Sequence, residues 1–182
     1  HSLPETETLN TGLDAISHAC ESLWNVNKTP VSEAYARQAL ILAKTALPTV
    51  LATPDDAAAR AAMQQASVLA GLAISQTRTA IAHAISYPLT SHFDVPHGLA
   101  CSFTLSNIIR EFTQKCNDNE LVSLLMDVKA MLDGLNLFDK LFAYATPEQI
   151  AALKDEMYHP ERAGNLSFSL ASVDLLLHGP NA

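Results

Sequence analysis

The sequence predicts an all-α, multi-helix domain, and three observations carry that expectation. Alanine and leucine dominate a chain with only 6 Gly and 6% aromatics, a bias that favours helices because Ala and Leu lose little side-chain entropy there. Long runs of Val, Ile, Thr and Tyr, the residues that strands prefer, are absent. Apolar residues recur at helical spacing behind repeated Thr-Pro start signals. Roughly eight or nine helices are expected, with no confident strand, internal repeat or interdomain linker.

The elements follow in order. His1 to Asn10 reads as an extended lead-in, with Asn10 or Thr11 capping a helix from Gly12 to about Asn25. That helix mixes Leu13, Ile16 and Leu23 with Asp14, His18 and Glu21. Thr29-Pro30 starts the next, since Pro is tolerated where the first N–H is unpaired anyway. It carries Ala34, Ala36, Leu40, Ile41, Ala43, Leu47 and Val50, with Pro48 as a kink near its end. Thr53-Pro54 repeats the signal before an Ala-rich helix over Ala57–Ile74. A helix over Thr77–Ser86 is broken by Pro88, and Pro96 opens another through Leu99, Phe103, Leu105, Ile108 and Ile109. Glu120–Leu132, Leu137–Tyr144 and Pro147–Met157 are three more, then a loop over 159–169 and a short final helix over Leu170–Leu177.

Length and composition bound the function. At 182 residues, 48% hydrophobic and 16% charged, the chain is a globular single domain with a proper core. A net charge of -8 without a Lys/Arg cluster argues against a nucleic-acid partner. No apolar run approaches the ~20 residues of a membrane span. Cys20, Cys101 and Cys116 have no metal-finger spacing and read as reduced thiols of a cytoplasmic protein, two of them buried. The chain starts at His1 and holds no glycine-rich phosphate loop, so it is expected to be part of a longer protein.

Two stretches carry chemistry. Asp14 and His18 are four apart, which places both on one helix face about a turn apart. A surface hydrogen bond would explain that pair, but Ala15, Ile16, Ala19 and Cys20 flank it, and an apolar helix tolerates Asp and His best when a cation compensates their burial. His83 lies in the apolar turn AIAHAIS, as a ligand or as a core histidine bonded to a carbonyl. His97 follows Pro96 at a helix start, either projecting into a site or idle there. One carboxylate and three neutral imidazoles suit Fe(II) or Zn(II) and leave a position open for a substrate oxygen. His92 is a weaker candidate, as a pocket-lining or solvated loop residue, and His1, His159 and His178 look peripheral.

At LPETETLNTGLDAISHACES and HAISYPLTSHFDVPHGLA the sequence resembles the C-terminal helical domain of the iron-containing (group III) alcohol dehydrogenases, a dehydroquinate synthase-like fold. The resemblance covers essentially the whole chain. It implies Asp14, His18, His83 and His97 as metal ligands, Fe2+ or Zn2+ as the ion, and hydride exchange between NAD(P) and a small alcohol or aldehyde. Many members have a second His four positions after the first; here that position is Tyr87. A phenol titrates near ~10, so Tyr87 is expected as a catalytic or cofactor contact without the usual proton relay, with pocket packing as the alternative. SLWNVN and HAISYPLTSHF look similar to phosphonate-metabolism members that act on phosphonoacetaldehyde. The resemblance also implies an N-terminal NAD(P)-binding α/β domain that this chain lacks, and a homodimer by analogy. Two rival expectations are a metal-stabilised helical module without activity of its own and a dehydroquinate synthase-like lyase domain.

Overall fold

A computed structural model describes residues 3–158, 160–170 and 172–177. His1, His159 and His178 lie outside these. Among the described residues every regular element is helical: α1 (Glu5–Leu23), α2 (Pro30–Ala52), α3 (Ala57–Thr77), α4 (Ile81–Phe93), α5 (His97–Ala100), α6 (Leu105–Thr113), α7 (Asn119–Gly134), α8 (Leu137–Phe142), α9 (Pro147–Ala152), α10 (Lys154–Met157) and α11 (Pro160–Ala163), then a 3₁₀ turn over Asp174–Leu176. The expected all-α class holds. No helix among the described residues is long and apolar enough to cross a membrane.

Helices α1, α2 and α3 pack on one another, and α1 also meets α4 and α5. Small residues make the close packing possible. Ala36, Ala39, Ala43 and Ala46 on α2 and Ala66, Ala70 and Ala73 on α3 are all buried, at spacings of three and four. Helix starts follow side-chain chemistry. Thr29 and Ser32 form a capping box, Thr146 and Gln149 another, and Asp56 and Asp118 accept from the N–H groups of Ala59 and Leu121.

Several expected boundaries are corrected. Helix α1 begins at Glu5, inside the stretch expected to be a lead-in. Glu5 and Glu7 complement the free N–H groups of its first turn, and the Arg60 guanidinium ties it down by donating to Thr8 Oγ1 at 2.9 Å and Leu3 O at 3.3 Å. Pro88 does not end α4, which runs through it to Phe93. The proline removes one backbone bond, and buried Ile85 and Leu89 on either side hold the helix in the core. The single helix expected after Pro96 is instead α5 and α6. Between them Ser102 Oγ donates to Leu13 O at 3.0 Å, and the Cys101 carbonyl accepts from Ser17 Oγ at 3.1 Å. Bonds across to α1 thus compete with continued helix. Part of the loop expected over 159–169 is the short helix α11, and among the described residues of the last expected helix the regular element is the 3₁₀ turn.

The turn into α4 is gripped from the loop after α1. Asn25 Nδ2 donates to Arg78 O at 2.9 Å, and Asn27 Nδ2 to Thr77 O at 3.2 Å. They hold Arg78 at φ 71, ψ 168, a region glycine favours, at a cost of about 1–3 kcal/mol. An antiparallel bridge between Asn25 and Leu166 adds the C-terminal segment to the same junction.

Gly98 marks where α5 meets α1. A Cβ there would lie 1.8 Å from the Asn10 carbonyl oxygen, a backbone atom that cannot swing aside. Gly98→Ala is therefore expected to push α5 off α1, destabilise the fold by about 1–3 kcal/mol and displace the neighbouring His97. A lowered melting temperature together with weaker metal binding would show this. An unchanged variant would mean the contact relaxes freely.

Candidate metal centre

Helix α1 presents Asp14 and His18 one turn apart, α4 presents His83, and α5 presents His97. The structure brings all four together. Asp14 Oδ1 lies 3.7 Å from His18 Nε2, 3.6 Å from His83 Nε2 and 3.6 Å from His97 Nε2. These separations are too long for hydrogen bonds. They suit donor atoms around a shared ion, since bonds of ~2.0–2.2 Å at wide angles put neighbouring donors ~3.3–3.6 Å apart. The His18 and His83 rings stack 4.9 Å apart at 10°, and His97 meets His83 edge-on at 5.3 Å.

The donor chemistry fits a divalent cation. His83 is 2% exposed, and its Nε2 is buried without a hydrogen-bond partner. An uncompensated ring nitrogen in the core is costly; a cation between it and Asp14 removes that cost. The other nitrogen is fixed: His83 Nδ1–H donates to Glu21 Oε2 at 2.8 Å, which leaves the Nε2 lone pair facing the cluster.

Glu21, which spacing along the chain did not single out, backs the cluster. Its side chain is fully buried. Besides the His83 ring it accepts the backbone N–H of Ala80 at 2.8 Å, Ala82 at 2.7 Å and His83 at 3.3 Å. It thus serves the unpaired N–H groups at the start of α4 while aiming the ring. The available signal was a carboxylate three residues after His18, among Ala19, Cys20 and Leu23.

Cys101 also joins the cluster. One donor atom each from Asp14, His83, His97 and Cys101 lies within 4.8 Å of the others. Burial, then the nearby Asp14 charge, pushes the Cys101 thiol well above its ordinary range. It is therefore a protonated S–H, donating weakly to Asp14 Oδ1 at 3.6 Å and Gly98 O at 3.5 Å. Cys101 thus lies against the same Asp14 oxygen that His18 Nε2 approaches at 3.7 Å.

Protons are shared unevenly. Burial alone would lower the His83 ring, but the flanking Asp14 and Glu21 carboxylates outweigh it and push it up to about 9. Burial lowers His18 and His97, which leaves both rings neutral and ready to donate lone pairs. Burial works to raise Asp14, but the three rings pull it below its usual range. A cation bound at His83 Nε2 displaces a proton near neutral pH.

Exposure differs across the cluster. His83 lies in the core, whereas the His97 side chain is 43% and Tyr87 40% exposed. The Tyr87 ring is tilted against His97 at 6.3 Å, so it borders the open side. His92, the weaker candidate, sits in the last turn of α4 with Nε2 2.9 Å from Glu156 Oε2, in a surface pair.

The sequence matches the profile of the Fe-containing alcohol dehydrogenase family, C-terminal, over residues 8–168. A phosphonoacetaldehyde reductase from Streptomyces viridochromogenes is 43% identical over 103 residues, covering 56% of this chain and 26% of that protein. Long-chain-alcohol dehydrogenase 1 from Geobacillus thermodenitrificans is 36% identical over 177 residues, covering 96% of this chain and 44% of that one. Among solved structures, a sulfoacetaldehyde reductase from Bifidobacterium kashiwanohense in complex with NAD+ matches with a TM-score of 0.73 at 31% identity, covering 97% of this chain and 50% of that chain. The chain thus spans about a quarter to a half of the length of these relatives.

Proposed function

Because this chain belongs to the iron-containing alcohol dehydrogenase family, we propose that it is the metal-holding half of an NAD(P)-dependent alcohol dehydrogenase that works as an aldehyde reductase. The observation that carries the reading is the convergence of three imidazole nitrogens on Asp14 Oδ1, one of them buried and otherwise unpartnered.

Asp14, His18, His83 and His97 would hold the ion, Fe2+ in keeping with the family, although the same donors accept Zn2+. When bound, the ion supplies Lewis-acid polarisation of the substrate carbonyl or alcohol oxygen. The chain's own residues do the rest. Asp14 contributes the one negative charge of the donor set. Glu21 fixes the tautomer and orientation of His83. His97 and Tyr87 border the open side, where Tyr87 is placed to contact substrate or nicotinamide with its phenol. His83, 2% exposed, keeps its part of the cluster away from water. NAD(P) would be bound mainly by an α/β domain outside this chain, and the family relatives that act on phosphonoacetaldehyde and sulfoacetaldehyde point to small aldehydes as substrates.

The test is NAD(P)H oxidation by the iron-loaded protein, joined to its cofactor domain, on addition of a short aldehyde. Activity that disappears on chelation and returns with Fe2+ is expected. Equal activity after complete metal removal would overturn the reading, as would iron-loaded protein inert toward every short aldehyde.

A further inference from the structure

Arg162 is the charged group near this site that the proposed function leaves unused. Its guanidinium carbon lies 4.2 Å from the centre of the Tyr87 ring, which in turn lies 6.3 Å from the His97 ring. The two legs bound the guanidinium within 10.5 Å of the imidazole. Among the described residues Arg162 forms no ion pair, whereas Arg37, for comparison, is held by both Glu33 and Asp118. A guanidinium held over an aromatic face keeps its five N–H donors, which lie in its own plane, for other partners.

The backbone that carries Arg162 is anchored. Helix α11 packs on α4. Just beyond it, Asn165 N–H donates to Arg162 O at 3.0 Å, Asn165 Nδ2 donates to Thr79 O at 2.8 Å, and Val26 N–H donates to Asn165 O at 2.8 Å. The segment that carries the guanidinium is thus tied to the start of α4, and Arg162 itself is half-buried.

We propose that Arg162, seated on Tyr87, is a specificity residue that binds the anionic end of the substrate, so that the site selects short aldehydes carrying a tetrahedral oxyanion, phosphonate or sulfonate. The proposal rests on the aldehyde-reductase reading, which it deepens. A planar fork matches two oxygens of such a group at once, in a charge-assisted contact. The limited span from Arg162 to His97 fits a molecule with a carbonyl at one end and the anion a few atoms away. Tyr87 then has a concrete role, as the platform that carries the guanidinium.

The experiment compares kcat/KM for phosphonoacetaldehyde, sulfoacetaldehyde and propanal in the iron-loaded full-length protein and its Arg162→Gln and Arg162→Lys variants. In Arg162→Gln the preference ratio of each anionic aldehyde over propanal is expected to fall about 100-fold, mostly through KM, the order of a lost bidentate charged contact. Arg162→Lys should recover part of it. The phosphonate and sulfonate arms show which oxyanion the site prefers. An unchanged ratio in both arms would overturn the proposal. Calorimetric titration with phosphonoacetate, which carries the anion but no aldehyde, separates the two readings. Arg162-dependent binding in a protein inert toward all aldehydes would keep the anion site and sink the reductase; equal binding by wild type and Arg162→Gln would sink the anion site.

Discussion

Replacing Asp14 with alanine is expected to strip the protein of metal. Three ring nitrogens lie 3.6–3.7 Å from this one oxygen, so its removal takes away both a ligand and the common centre of the cluster. It also takes away the only negative charge among the four donors. Loss of an outer-shell partner already costs 10–100-fold in metal affinity, so loss of this ligand should cost at least about 100-fold. The measurement is elemental analysis of protein purified without oxygen, with a binding titration alongside. His97→Ala should be milder, because His97 is half exposed and solvent can take its place. Full iron occupancy in Asp14→Ala would remove the chemical basis of the dehydrogenase reading.

The same variant should uncouple stability from iron. An ion that binds only the folded state stabilises it by an amount that grows with free-metal concentration, so the melting temperature of the wild type should climb as Fe2+ is added. In Asp14→Ala that climb should vanish over the same concentrations. The metal-free protein changes as well. With Asp14 present, the His83 ring is pushed up to about 9 against the effect of burial. Without Asp14, burial acts against only one remaining carboxylate, and His83 should shed its proton at lower pH.

How much of this was legible follows from geometry along the chain. Asp14 and His18 sit four apart on one helix, so their shared face could be read directly. His83 and His97 could be named from their apolar turn and Pro-led helix start, but their meeting depends on how α4 and α5 dock on α1. Gly98 makes that docking possible through a backbone contact with Asn10, which no spacing rule exposes. Glu21 was harder. Most helical glutamates face water, and its purpose emerges only when the start of α4 is brought onto it. Arg162 lay in a stretch read as loop, and its value depends on Tyr87, which is 75 residues earlier in the chain. The helix through Pro88 escaped for a related reason: local propensity predicts a break, and burial of Ile85 and Leu89 overrides it.

Glu21→Gln should separate the role of the buried carboxylate from its shape. The native Oε2 accepts from both Ala80 N–H and His83 Nδ1–H, and Oε1 accepts from Ala82 N–H and His83 N–H. A glutamine is nearly isosteric but must place an NH2 on one of these two sides. On the first side it opposes the Ala80 N–H and can satisfy His83 only by donating to Nδ1. That forces the other tautomer, with a proton on Nε2 where the lone pair is needed. On the second side it opposes two backbone N–H groups at once. Either way the variant is expected to lose about 10–100-fold in iron affinity and about 1–3 kcal/mol in stability from unpaired buried donors. The ratio of the two effects is informative. A loss of stability with unchanged affinity would make Glu21 a cap for α4 alone, whereas a loss of affinity in a protein that melts normally would mark it as the group that aims His83 at the metal.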